Sequence, residues 1–383
     1  MKKRIWLSPP HMSENEVPFI KESFDTNWIA PSGPNLDKFE QQLSDRLSGH
    51  FVAALNSGSA ALHLALVILD VKHGDEVICQ SFTFSASVNP VIYQGAKPVF
   101  IDSESDTWNM DPDLLEKAII DRLALGKKVK AIVVVDSYGM PAKLKEISSI
   151  SSKYGIPLVE DAAEAFGSSI DNLPCGTFGS IGIISFNGNK IITTSSGGAL
   201  ITSSSTFISD AKHLASQAKD NTPYYQHSKI GYNYKMSNVL AGIGLGQLMV
   251  LNERVQSRRN NFQRYVDYFS VWNTKGFDIS FQIEPDGYMS NRWLTCILVD
   301  PNRNKGLNIE TIRMAFQENN IEVRLLWKPM HDQPIFNMYP FYGNGMSARF
   351  FDMGLCLPSG SSLTDEDFQI IFECLDNIFK KCI

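Results

Sequence analysis

From about Val52 to Ile201, short runs rich in β-branched residues alternate with longer stretches of helical periodicity. No other feature restricts the fold as much, because this alternation is the pattern of parallel βαβ units. Strands are expected at Val52–Leu55, Glu76–Cys79, Pro98–Asp102, Ala131–Asp136, Pro157–Asp161, Gly182–Phe186 and Ala199–Thr202, with helices such as Ala60–Leu69 and Pro141–Tyr154 between them. The expected fold class is therefore α/β with a large, mostly parallel sheet, and α/β proteins bind ligands at the carboxyl ends of such strands. The apolar stretch Val239–Leu251, within Ser237–Val255, predicts one long buried helix and a hinge near residue 250. Beyond it, Trp293–Val299, Leu307–Asn319 and Leu363–Phe379 read as a small α+β unit. A chain of 383 residues exceeds one ordinary core, so the expected division is an arm at 1–11, a large domain at 12–250 and a small C-terminal domain at 251–383.

Composition narrows the function. A net charge of −6 lacks the basic footprint of a nucleic-acid binder, yet a local site of backbone N–H groups and one or two cations can still hold an anion. The six cysteines are scattered without a metal-binding or disulfide spacing and read as reduced thiols. The opening segment reaches Pro9 and Pro10 before any apolar run of signal-peptide or membrane length, so the expectation is a cytoplasmic chain without a membrane partner.

Three short motifs carry chemistry. Asn56-Ser57-Gly58-Ser59-Ala60 follows an apolar strand and opens a helix, which presents free N–H groups to a phosphate. Such a turn is also an ordinary helix cap. In Val159-Glu160-Asp161-Ala162-Ala163-Glu164-Ala165, a carboxylate ends a buried strand and needs a cationic partner. A protonated ring nitrogen would serve, although an Asp there can also cap the next helix. In Ser185-Phe186-Asn187-Gly188-Asn189-Lys190, the lysine stands among small and apolar residues with no carboxylate near it in sequence, a setting for a nucleophilic amine.

In this order the three motifs resemble the DegT/DnrJ/EryC1/StrS sugar aminotransferases, which have the type I, aspartate-aminotransferase-like fold and use pyridoxal phosphate (PLP). The resemblance spans nearly the whole chain and includes Trp28-Ile29-Ala30-Pro31, Thr83-Phe84 and Gly231-Tyr232-Asn233-Tyr234. It implies that Lys190 forms the Schiff base, that Asp161 pairs with the pyridine nitrogen, and that Phe84 stacks on the ring. It also implies that Gly58, Ser59 and Ser185 hold the phosphate, that Glu164 lies near the ring hydroxyl, and that Asn233 reaches the phosphate of a neighbouring subunit in a homodimer. The chain departs from the family at Ser195-Ser196-Gly197-Gly198, where many relatives carry Gly-Glu-Gly-Gly, and at Lys235, where they carry Arg.

The resemblance further implies a ping-pong transfer from L-glutamate to a nucleotide-linked keto sugar, with Lys190 moving the proton. Relatives with histidine at the lysine position dehydrate instead, and Lys190 points away from that reaction. Within the family, Leu7–Met12, Asn187–Thr194, Ser290–Leu294 and Leu357–Gly360 resemble the bacillosamine-pathway members, which aminate C4 of UDP-4-keto-6-deoxy-N-acetylglucosamine. Trp28, Ile29, Arg292, Arg324, Lys328 and His331 are the candidate substrate contacts, the cations suiting a diphosphate or base. Amination at C3 or of another nucleotide sugar is the alternative, as is a non-catalytic protein that binds PLP and a nucleotide sugar.

Overall fold

The computed structural model describes residues 3–382; residues 1, 2 and 383, parts of the expected arm and small domain, lie outside the described residues. Runs that are apolar at nearly every position, such as Val129–Val135, suit a sheet covered on both faces, and they form the interior of the larger sheet. The strands used below are β1 Phe51–Leu55, β2 Glu76–Gln80, β3 Lys97–Ile101, β4 Val129–Val135, β5 Leu158–Asp161, β6 Ile181–Ser185, β7 Gly198–Thr202, β8 Ile279–Phe281, β9 Thr295–Val299, β10 Arg324–Leu325, β11 Phe341–Tyr342 and β12 Gly354–Leu357.

The larger sheet has eight strands in the order β1-β7-β6-β5-β4-β2-β3-β11. Strand β7 runs against both of its neighbours, and the remaining pairings are parallel. This is the mostly parallel α/β sheet expected, of the type I class. Alternate residues of each strand enter opposite core layers, as the period of two requires. Val77, Cys79, Val133 and Val159 pack on one face beneath helix Gly58–Ile68, and Ile78, Ile132, Val134 and Leu158 pack on the other. Because β3 lies on one side of β2 and β4 on the other, the connections diverge there and open a crevice beyond the strand ends.

A smaller antiparallel sheet, β8-β9-β12-β10, packs against an aromatic layer contributed by the helices: Phe269 and Trp272 of Leu251–Asn273, Phe316 of Ile309–Glu318, and Phe368 and Phe379 of Asp365–Phe379. The chain crosses between the two sheets more than once. Strand β11 pairs with β3 of the larger sheet, and Ile5 of the arm bridges to Ile321.

The single long helix expected around Val239–Leu251 is two helices, Asn238–Met249 and Leu251–Asn273, broken where Val250 leaves helical geometry at φ −110°, ψ 5°. The break lets each half bury on a different body. The first half packs its glycines against the N-terminal helices so closely that a Cβ at Gly244 would stand 2.5 Å from the Phe39 ring. The second half directs Arg258, Tyr265, Phe269 and Trp272 into the smaller unit's interior.

Arg258 is wholly buried. Its guanidinium donates to the carbonyl of Trp293 and, at 2.9 Å, to Ser8 Oγ of the arm. Burial, aided by the charge of Arg254, pushes its pKa down to about 9.

Behind the sheet's carboxyl end lies a buried acid pair. Glu160 accepts from the N–H of Gly176 and Phe178, and Asp136 accepts from that of Ala142 at 2.8 Å. Burial pushes Glu160 up to about 7 and Asp136 well above the carboxylate range, so one proton is shared between them. The folded values exceed the unfolded ones, so this contribution to stability is full below about pH 4.5 and is lost as pH rises through about 7. Asp136→Asn supplies the shared hydrogen permanently. We expect the thermal unfolding temperature of the wild type to fall more steeply between about pH 4.5 and 7 than that of the variant. Parallel profiles would rule out the shared proton.

Candidate active site

The cavity at the carboxyl ends of β1, β2, β5 and β6 has a volume of about 420 Å³ and is lined by Gly58, Ser59, Phe84, Asp161, Glu164, Ser185 and Lys190. Each of these follows or ends one of four strands that run in the same direction, β1 being brought into line with the parallel strands through the antiparallel β7, so the sheet topology brings them together from distant parts of the sequence.

At one wall, Ser57 caps helix Gly58–Ile68 by accepting from the N–H of Ala60, and its carbonyl accepts from Ala61. The first of these satisfies one of the four N–H groups that a helix start leaves without intrahelical partners, the second is the helix's first regular bond, and the N–H groups of Gly58 and Ser59, two residues that line the cavity, remain to offer an anion site. Close approach is a requirement here. A Cβ at Gly198 would stand 2.4 Å from the Gly58 nitrogen, and one at Gly58 would stand 3.2 Å from Ser185 Cβ.

Asp161, which also lines the cavity, is 6% exposed, with Ser87 Oγ donating to it at 2.7 Å and the Ala163 N–H at 3.2 Å. Burial raises its pKa, while Ser87, Ala163 and the charge of Lys190 hold it back. A carboxylate so placed is relieved by a cation. Lys190 Nζ lies 3.3 Å from Glu164 Oε1 and 4.2 Å from the centre of the Trp293 ring. Glu164 Oε2 accepts from the Tyr138 N–H at 2.7 Å; burial raises this carboxyl too, against the pull of Lys190 and that N–H. The sequence leaves Lys190 without a nearby carboxylate; the fold supplies one from β5's loop.

The residue before the lysine is clamped. Ser8 Oγ at 2.8 Å and Trp293 Nε1 at 2.7 Å both donate to the Asn189 carbonyl. Arg258 holds both of those donors, so the arm and the smaller unit together fix the lysine's loop.

An anion cradle, an amine and a buried carboxylate thus occupy three sides of one cavity. That donor set fits PLP: Gly58, Ser59 and Ser185 would hold its phosphate, Lys190 would meet its carbonyl, and Asp161 would pair with its ring nitrogen.

Of the candidate substrate contacts, Arg324 lines this cavity and the others do not. Arg292 is 5% exposed, pairs with Glu284 at 3.4 Å and covers the Phe262 ring, so its charge is already used. His331 stacks on Phe341 and bonds Ser81 Oγ at 2.7 Å, and burial lowers its pKa. Lys328 is exposed outside the cavity. Trp28 and Ile29 are about half exposed, beside helix Asn238–Met249. Asn233 is exposed, and its carbonyl accepts from Asn56 Nδ2 at 3.1 Å, outside this chain's own cavity.

The structure also brings in Ser87, Tyr138, Trp293 and Trp327, which sequence reasoning had not placed at the site. Trp327 stacks on Tyr138 at 5.6 Å and contacts Phe84 at 5.3 Å. The only sequence signal for these was the segment Ser290–Leu294, which contains Trp293.

The pattern of the DegT/DnrJ/EryC1/StrS aminotransferase family matches residues 10–376. EpsN of Bacillus subtilis (strain 168), assigned to the pyridoxal phosphate-dependent aminotransferases, is 48% identical over 99% of this chain and 97% of its own. GDP-perosamine synthase of Escherichia coli O157:H7 is 32% identical over 97% of each. The PLP form of Spr1654 from Streptococcus pneumoniae superposes with a TM-score of 0.88 at 26% identity, covering 100% of both chains.

Lys190→Ala should abolish the visible absorbance of the PLP-loaded protein and lower transamination by at least about 10²-fold, the low end for loss of acid–base catalysis. Its far-UV circular dichroism should not change. A variant that keeps the band would remove Lys190 from the chemistry.

Proposed function

Because the chain belongs to the DegT/DnrJ/EryC1/StrS aminotransferase family and is a PLP-dependent sugar aminotransferase, we propose that it moves the amino group of L-glutamate to C4 of UDP-4-keto-6-deoxy-N-acetylglucosamine. We further propose that it works in the cytoplasm as a homodimer, with Asn233, exposed here, turned to the partner's site. Among the described residues no helix is long and apolar enough to cross a membrane.

The observation that carries the reading is the convergence of Lys190, two buried carboxylates and a helix N-terminus on one cavity. PLP bound there supplies an electron sink. Asp161, buried and steadied by Ser87, keeps the ring nitrogen's proton by ion pairing. Lys190 is the one amine among the cavity's lining residues, and it serves as base and then acid at the substrate carbon. Glu164 and the Trp293 ring hold that amine between them, so that it swings within the cavity rather than into solvent. Ser8 and Trp293 keep its loop in register while it does so.

The resemblance of Ser290–Leu294 and Leu357–Gly360 to bacillosamine-pathway members supports the UDP sugar and C4. A second reading, a GDP-linked keto sugar, draws on the relative named GDP-perosamine synthase. Titration of the PLP-loaded protein separates them. L-glutamate should bleach the visible band, and UDP-4-keto-6-deoxy-N-acetylglucosamine should restore it with a 4-amino sugar visible by mass spectrometry. Restoration by a GDP-linked keto sugar alone would replace the first reading with the second.

A further inference from the structure

We propose that a second chamber, which adjoins the cofactor cavity at Trp293, is the subsite for the acceptor's hexose ring, and that the N-terminal arm therefore sets acceptor specificity. The proposal rests on the nucleotide-sugar reading above and deepens it.

The chamber has a volume of about 270 Å³ and shares Asn189, Trp293, Arg324 and Trp327 with the cofactor cavity. The arm contributes Trp6, Ser8 and Pro9 to its wall, and Glu322 contributes a carboxylate. That wall is pinned in place. Ile5 donates to the Asn320 carbonyl at 3.1 Å and accepts from the Glu322 N–H at 2.8 Å, while Leu7 N–H donates to Glu322 Oε2 at 3.1 Å.

Size and position select the occupant. Pockets that enclose a whole drug-sized ligand measure roughly 300–1,000 Å³, so this chamber takes one ring and not a nucleotide sugar. The ring that must reach Lys190 is the one bearing the ketone, and Trp293, 4.2 Å from Nζ, walls both spaces. Indole and phenol faces offer flat apolar surfaces for the C–H face of a pyranose. At the ring's edge, Ser8 Oγ and the Glu322 carboxylate can accept from hydroxyls. Arg324 pairs with Glu322 at 2.9 Å, its side chain is 68% exposed, and it borders both cavities. It is therefore suited to a diphosphate leaving the ring for solvent. L-Glutamate would set a carboxylate against Glu322, so the donor does not compete for this chamber.

The test compares PLP-loaded wild type with Trp6→Ala and Glu322→Gln, following the two half-reactions separately. Binding of UDP-N-acetylglucosamine is measured in parallel by calorimetry. Trp6 is half exposed, so its removal spares the core. Expected are a rise of about tenfold or more in KM for the keto sugar, the same loss in probe affinity, and a glutamate half-reaction within about twofold of wild type. Unchanged probe affinity, or equal loss in both half-reactions, would overturn the proposal. Should the wild type aminate no nucleotide sugar at all, the functional reading fails by itself. The binding comparison still decides whether the chamber holds a hexose.

Discussion

A buried positive charge holds the site together. The Arg258 guanidinium has left water, which costs several kcal/mol for an ion of that kind, and its pKa of about 9 reports that cost. What offsets it is a ring of acceptors from three parts of the chain: Ser8 in the arm, the Trp293 carbonyl and the Ser359 carbonyl. Ser8 and Trp293 then donate to the carbonyl of Asn189, one residue before Lys190. The lysine is thus positioned by contacts that begin on a helix leading into the smaller unit. A change in that helix's placement would be felt at the catalytic amine.

Around the lysine, burial and charge oppose each other. Asp161 and Glu164 both have raised pKa values because the sheet's end excludes water, and both are partly relieved by the one lysine between them. Two buried carboxylates facing one ammonium leave the site short of a positive charge. A cofactor with a protonated ring nitrogen would supply it beside Asp161, and the helix start at Gly58 and Ser59 would take its phosphate. The electrostatics of the cavity would thereby give PLP a direction as well as a place.

How much of this was legible in the sequence depends on where each residue stands relative to a strand. Asp161, Ser185, Gly58 and Lys190 lie at or just after apolar runs, and such runs foretell strands whose carboxyl ends gather in a parallel sheet. Their convergence therefore followed from local pattern, sharpened by the family resemblance. Arg292 and His331 were legible only as residue types that bind phosphates or bases. In the fold, Glu284 and Phe262 engage the first, and Ser81 and Phe341 the second. Trp293, Trp327 and Tyr138 gave the opposite difficulty, because a large aromatic in sequence reads as core. Near residue 250 the sequence offered a hinge but not a division into two helices, because apolar residues run through Val250 and only the separate burial of the two halves divides the helix.

The sequence by itself determined the α/β class, the order of strands and loops, the lysine and acid that line the cavity, and the family to which they point. These depend on periodicity and on short motifs, which are local properties. Tertiary structure alone decided the antiparallel placing of β7, the return of β11 to the larger sheet, the Glu164 partner of Lys190, and the arm's place against Asn189. Those contacts join residues from 13 to 241 positions apart. Their energies come from burial and from hydrogen bonds between surfaces that meet only once the chain has folded.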